Sequence, residues 1–86
     1  MKFFYVYVLN NSYKNFIDIG YSENLKQRIQ EHNEGKVRST KAYTLLKLIF
    51  YEAYATKSDA KRRETYLKTN KGRTTLITML KDYFKK

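Results

Sequence analysis

An α+β fold, with a small three-stranded, mainly antiparallel sheet flanked by helices, is predicted by three features of the chain. Two aromatic and β-branched runs, Phe3–Leu9 and Phe16–Tyr21, are separated only by the polar stretch Asn10–Asn15, which reads as a hairpin loop. A third apolar and aromatic run, Leu45–Tyr54, has strand character but lies a long crossover away. Between and after these runs apolar residues recur with the 3.6-residue period of helices, so the element order is ββαβαα.

Each element follows from its residues. In the first strand Phe3, Tyr5, Tyr7 and Leu9 share one face, and Phe4, Val6 and Val8 the other. In the second, Phe16, Asp18 and Gly20 share a face, with Tyr21 on the opposite side. Ser22 is the expected N-cap of the first helix, with Glu23 in its first turn, and Gly35 ends that helix after Asn33. A loop of basic and hydroxyl residues, Lys36–Thr44, leads to the third strand, which fits beside either of the first two. Ser58 is expected to cap the second helix. Asn70–Gly72 reads as a turn, and the last helix runs from Arg73 to Phe84 with Leu76, Ile77, Leu80 and Phe84 as its apolar stripe.

Composition narrows the partners. At 86 residues the chain reads as one domain, residues 1–86, whose core is modest, so an active site must lie at its surface. The formal charge is +10, and a chain this small with that excess is expected to bind a polyanion, nucleic acid first. Residues 1–43 carry seven basic and four acidic side chains, residues 44–86 eleven and four, which puts the main footprint in the second half. Without cysteine there is neither a disulfide framework nor a thiolate metal site, and one histidine cannot build a zinc site alone. No apolar run approaches the eighteen or so residues of a membrane span, and Met1–Leu9 lacks a signal-peptide pattern. A cytoplasmic, nucleoid-associated protein is expected, as a monomer or weak homodimer. A helix lying on anionic lipid is disfavoured, because its basic residues face no broad Trp, Phe and Leu surface.

Three residues stand where amphipathic helices should be apolar. Leu25, Arg28, Ile29 and His32 form one stripe, and Ala60, Arg63, Glu64 and Leu67 another. Charged and polar side chains avoid such places unless paired, metal-bound or functional. One reading is structural, an Arg28–Glu64 pair tying two helices together with His32 a satisfied core histidine. The other is a site.

Tyr5-Val6-Tyr7, Asp18-Ile19-Gly20, the run Gly20-Tyr21-Ser22-Glu23-Asn24-Leu25 leading to Arg28 and Glu31-His32-Asn33, and Ala60-Lys61-Arg62-Arg63-Glu64 followed by Leu67-Lys68 together resemble the GIY-YIG nuclease domain, and within it the small stand-alone UPF0213 or YhbQ-like group. The resemblance covers Phe4 to about Leu80. It implies a divalent-metal-dependent endonuclease that cleaves DNA phosphodiesters, single- or double-stranded, by in-line attack of water. It implies further that Tyr7 is the tyrosine of the first motif, Arg28 the helix arginine, His32 the residue one turn later and Glu64 the carboxylate that holds the metal. Asn70 is the nearest match to the family's further asparagine.

Physical chemistry is compatible with those roles. Mg²⁺, or Mn²⁺, keeps several waters and needs only one or two carboxylates plus substrate phosphate. Arg28 offers a fork of donors to a phosphate, and His32 suits a proton shuttle or a phosphate contact. Tyr7 would orient or deprotonate the nucleophile if a neighbouring metal and arginine lowered its pKa. Each residue also has a plain alternative: Tyr7 as one of nine tyrosines in an aromatic core, and Lys61-Arg62-Arg63 as a solvated helix face. Taken with Lys57, Lys68, Lys71 and Arg73, that face becomes a basic ridge for phosphates, and Lys36, Arg38 and Lys41 offer a grip on a second strand.

The second family motif normally begins with tyrosine, where this chain has Asp18. A phenol there donates a hydrogen bond, whereas an ionised carboxylate only accepts and repels phosphate. Asp18 is then a second metal ligand or general base in a rewired site, the mark of an inactive DNA-binding module, or an introduced substitution. It should point with Phe16 toward the face carrying Tyr7. Close approach to Glu64 would raise one carboxylate's pKa. Three functions stay open: a DNA endonuclease, a catalytically weakened nucleic-acid-binding module, and a small domain that binds RNA or an acidic protein.

Overall fold

The computed structural model describes residues 1–11, 16–38, 40–41 and 46–85. Three strands, β1 (Phe4–Asn11), β2 (Phe16–Ser22) and β3 (Lys47–Tyr54), form one antiparallel sheet in the order β2-β1-β3. Four helices accompany it: α1 (Leu25–Asn33), α2 (Lys57–Leu67), α3 (Asn70–Met79) and α4 (Lys81–Lys85). The α+β expectation holds, and the crossover through α1 places β3 beside β1, which becomes the central strand. The expected hairpin tip at residues 12–15 and the first residue of the expected third strand, Leu45, lie outside the described residues.

The alternation of β1 divides the core in two. Val6 and Val8, with Ile19 of β2, pack against Ala60 and Leu67 of α2 and Leu76 of α3. Tyr7 and Leu9 face the other way, onto Leu46 and onto Leu25 and Ile29 of α1. The sheet is thus covered by α1 on one face and by α2 and α3 on the other. A register shift between Val8 and Leu9 in the β1–β3 ladder lets consecutive residues Ile49 and Phe50 pack against the same cluster, which regular alternation would forbid. Arg63 of α2 donates to both carboxylate oxygens of Glu52, at 3.0 and 3.2 Å, and so fastens α2 to β3.

Helix ends depart from expectation by a residue or two, and in each case a nearby short polar side chain takes the cap. Asn24, not Ser22, caps α1, its Oδ1 accepting from the Gln27 amide at 3.1 Å. Ser22 bonds to the backbone of Asn24 and ends β2. Thr56 replaces Ser58 as the cap of α2. Gly35 ends α1 as expected, with φ +74°, and the Lys36 amide donates back to the Glu31 carbonyl.

The last predicted helix is two helices. Thr69 caps α3, so Asn70–Gly72 is its first turn and not a connecting turn. Gly72 is required there because a Cβ would collide with the Tyr66 carbonyl of α2. The chain breaks at Leu80, and Ile77, expected on the apolar stripe, is 49 % exposed while Leu76 is buried. Tyr83 of α4 donates to Asn10 Oδ1 at 2.8 Å, which ties the C-terminal turn to β1.

Candidate active site

Register builds the site. Tyr7 lies opposite Gly20 in the β1–β2 ladder, and the phenol crosses the place where a side chain at Gly20 would stand; a Cβ there would collide with the Tyr7 ring and hydroxyl. The missing side chain gives the phenol a path from the central strand to the β2 edge. There it meets α1, which Leu25 and Ile29 hold against the sheet so that Arg28 and His32 project toward Tyr7.

The result is a hydrogen-bonded row. Arg28 Nε donates to Tyr7 Oη at 3.3 Å, Tyr7 Oη lies 2.8 Å from His32 Nε2, and His32 Nδ1 lies 2.7 Å from Thr40 Oγ1. Asp18 enters from the second strand, its Oδ2 3.7 Å from His32 Nε2, beyond hydrogen-bond range but close enough to act through its charge. Glu64, 8 % exposed, reaches the same cleft from α2 with one oxygen 3.2 Å from Lys61 Nζ and the other 3.0 Å from Lys68 Nζ. Together these side chains line a cleft of about 240 Å³ at the edge where the two helical layers meet.

The structural reading of Arg28 and Glu64 as a mutual pair does not hold. Arg28 bonds Tyr7 and, at 3.3 Å, Glu31, while Glu64 is held by lysines of its own helix. His32 is 1 % exposed with both ring nitrogens engaged, so a phosphate could reach it only if one of those bonds opened.

Burial dominates the electrostatics. It pushes the Tyr7 phenol above its ordinary value, and the Arg28 hydrogen bond, which favours the phenolate, only opposes that effect. Arg28 alone therefore does not lower the phenol below its ordinary value. Burial also raises the Asp18 carboxyl, against the pull of His32, Lys68 and Arg28, with Glu64 adding the smallest push. The direction agrees with a crowded carboxylate, but the chief cause is desolvation and not its partner. His32 is lowered by burial, with Asp18 working the other way. The hydrogen bond to Tyr7 raises Arg28 further.

The expected site residues separate into two groups. Tyr7, Asp18, Arg28, His32, Glu64, Lys61 and Lys68 line one cleft. Lys36, Arg38, Lys41, Arg62, Lys71 and Arg73 are exposed but do not line it. Lys36 pairs with Glu34 at 3.0 Å and Arg62 with Asp59 at 2.9 Å. Asn70 heads α3 and also stands apart from the cleft. Two lining or supporting residues were not foreseen. Tyr21, on the other face of β2 from Asp18, lines the cleft from the α2 side with Lys61 Nζ 4.8 Å from its ring centre. Thr40 lies in a loop whose hydroxyl-rich composition was its only signal.

Among the described residues no three His, Cys, Asp or Glu side chains gather as a ready metal cage. The donors in the cleft are hard carboxylate oxygens, which suit Mg²⁺ or Mn²⁺ better than softer ions, and an ion that keeps most of its waters needs no larger set. None of the described helices is long and apolar enough to cross a membrane.

The model of the GIY-YIG catalytic domain matches residues 3–77. A UPF0213 protein of Staphylococcus haemolyticus is 38 % identical over 66 residues, 76 % of this chain and 79 % of that protein. One of Streptococcus agalactiae is 35 % identical over 80 residues, 92 % of this chain and 89 % of that protein. One of Staphylococcus epidermidis is 39 % identical over 51 residues, 58 % of this chain and 62 % of that protein. No solved structure matches the chain significantly. By the domain match and these relatives, the chain therefore belongs to the GIY-YIG catalytic domain family, a nuclease fold that implies a nucleic-acid substrate and, in general, a metal ion.

Proposed function

We propose that residues 1–86 form a single divalent-metal-dependent endonuclease domain that hydrolyses DNA phosphodiester bonds. The observation that carries this reading is the convergence of a phenol, a guanidinium, an imidazole and two carboxylates in one small cleft rimmed by lysines. Burying Asp18, His32 and Glu64 together costs stability, and polar clusters kept at such a cost are characteristic of functional sites.

Arg28 keeps 39 % of its side-chain surface, so its fork faces the cleft mouth and can meet a phosphate while Nε steadies Tyr7. Tyr7, held protonated at rest, accepts the proton of the attacking water at its oxygen while its own proton passes to His32 Nε2. The new P–O bond forms as the bond to the leaving sugar oxygen breaks, and that oxygen takes its proton from solvent water. Asp18, 3.7 Å from His32 Nε2, favours the imidazolium by its charge but opposes the entry of phosphate, and the second effect is the larger in this reading. Glu64 would hold Mg²⁺ or Mn²⁺, which when bound supplies Lewis-acid stabilisation of the phosphate. Lys61 and Lys68, which neutralise Glu64 in the free protein, are then at hand for phosphate oxygens.

A second reading, a weakened nucleic-acid-binding module, is favoured by one observation: Asp18 puts a carboxylate where the family has a phenol, and its charge lies in the phosphate's cleft. Cleavage of single- and double-stranded DNA, with RNA as competitor, in Mg²⁺ or Mn²⁺ tests the two. The nuclease reading expects metal-dependent nicking, increased in Asp18→Tyr. Tight binding without nicking by either protein would leave the binding module standing.

A further inference from the structure

Thr40 has no part in the reaction as described, yet it is fully buried and its hydroxyl makes the shortest contact of the row, 2.7 Å to His32 Nδ1. Hydrogen-bond directions explain why. The Arg28 Nε–H can only donate, so Tyr7 Oη accepts from it. Tyr7 has one proton, and among the described residues the acceptor in reach is His32 Nε2 at 2.8 Å. A neutral imidazole that accepts at Nε2 carries its proton on Nδ1, and Nδ1 then donates to Thr40 Oγ1. The Thr40 hydroxyl proton is left to point at the Val37 carbonyl, 3.5 Å away.

The opposite assignment fails at its ends. If Nε2 carried the proton, Tyr7 Oη would receive two donors and its own proton would have no acceptor among the described residues. Asp18 works toward that assignment, since its carboxylate near Nε2 favours a proton there, but at 3.7 Å it makes no hydrogen bond. The tautomer is thus decided between Thr40 on one nitrogen and Asp18 near the other.

We propose that Thr40 is a positioning residue that holds neutral His32 in the Nδ1–H tautomer, leaving Nε2 free to take the proton of Tyr7. The catalytic meaning of this assignment rests on the nuclease reading; the tautomer itself does not. In a histidine side chain free in water the Nε2–H form prevails, so the assignment makes a distinct expectation.

The chain has a single histidine, so isotope-labelled histidine gives one pair of ring-nitrogen signals. At a pH where the ring is neutral, Nδ1 should show the protonated, pyrrole-type shift and Nε2 the unprotonated one. Thr40→Val, which keeps the shape and removes the acceptor, should move the population toward Nε2–H, and Thr40→Ser should restore Nδ1–H. Cleavage should fall about tenfold or more in Thr40→Val at unchanged DNA affinity, and recover in Thr40→Ser. An Nε2–H signal in the unaltered protein overturns the proposal, as does a tautomer indifferent to Thr40→Val. If Thr40→Val does not fold, the unaltered protein and Thr40→Ser still decide. The expected tautomers with no cleavage in any protein would sink the nuclease reading and leave the assignment of Thr40 intact.

Discussion

The two faces of β1 are built to opposite standards. On one, Val6 and Val8 meet Ala60, Leu67 and Leu76 in a cluster without a polar side chain among its buried members. On the other, one residue along, Tyr7 meets His32, Arg28 and Asp18. The first face stabilises through area removed from water. The second spends part of that stability on groups whose charged forms are desolvated, and recovers it only through a hydrogen-bond row in which every member has a partner. A strand's period of two is what allows β1 to serve both.

The contrast is broken most sharply by one substitution on each side. Leu67→Ala should cost about 2–5 kcal/mol of stability, read from denaturant unfolding, because it empties fully buried apolar volume. Tyr7→Phe should cost about 1–3 kcal/mol, since it strips a buried nitrogen of its donor, but should lower cleavage about 10²-fold or more. Equal effects of the two on cleavage at matched folded fraction would erase the distinction between the faces.

Asp18 sharpens it through pH. Its folded pKa is raised, so its contribution is fully present below its unfolded value, about 3.9, and is lost as pH rises through the folded value. Asp18→Asn should therefore unfold at a higher temperature than the unaltered chain at pH 7, and the advantage should shrink as pH falls. His32 has the opposite sign. Its folded pKa is lowered, so stability is lost as pH drops below about 6.5 toward the folded value. Without the Asp18 charge to support protonation, the variant should lose more stability over that step than the unaltered chain. Melting curves from pH 4 to 8 read both; parallel profiles would contradict the coupling.

The smallest effects belong to the basic surface. If Lys61, Lys68 and Lys71 contact phosphates, removing each should flatten the salt dependence of DNA binding by roughly one unit of slope, whatever the sequence. Arg62, already paired with Asp59, should change it least. Salt titrations of the four single variants rank them, and a uniform absence of change would assign the ridge to solvent.

Much of the fold was legible because it rests on periodicity. The strand alternation of Phe4–Leu9 and the stripes of Leu25/Ile29 and Ala60/Leu67 are local patterns that packing then obeys. Arg28, His32 and Glu64 were visible as departures from those same patterns. What escaped depends on contacts distant in sequence or on competition between neighbours. Asn24 and Thr56 displaced Ser22 and Ser58 as caps because several short polar side chains compete at each helix start. The tight crossing at Gly72 follows from α2 and α3 meeting in space. Tyr7 reaches the cleft only because register sets it opposite Gly20, and Thr40 supports His32 from a loop with no period to read.

If the polar face is a metal-dependent cleavage site, its activity depends first on Glu64. Glu64→Gln keeps the shape of the side chain while removing the charge that Lys61 and Lys68 neutralise. Cleavage and DNA affinity measured on the same preparation in Mg²⁺ should separate, with cleavage abolished and affinity equal or higher, because a negative charge beside the phosphate is gone. Cleavage undiminished in Glu64→Gln would mean that Glu64 holds no catalytic metal and that this face is not the cleavage site.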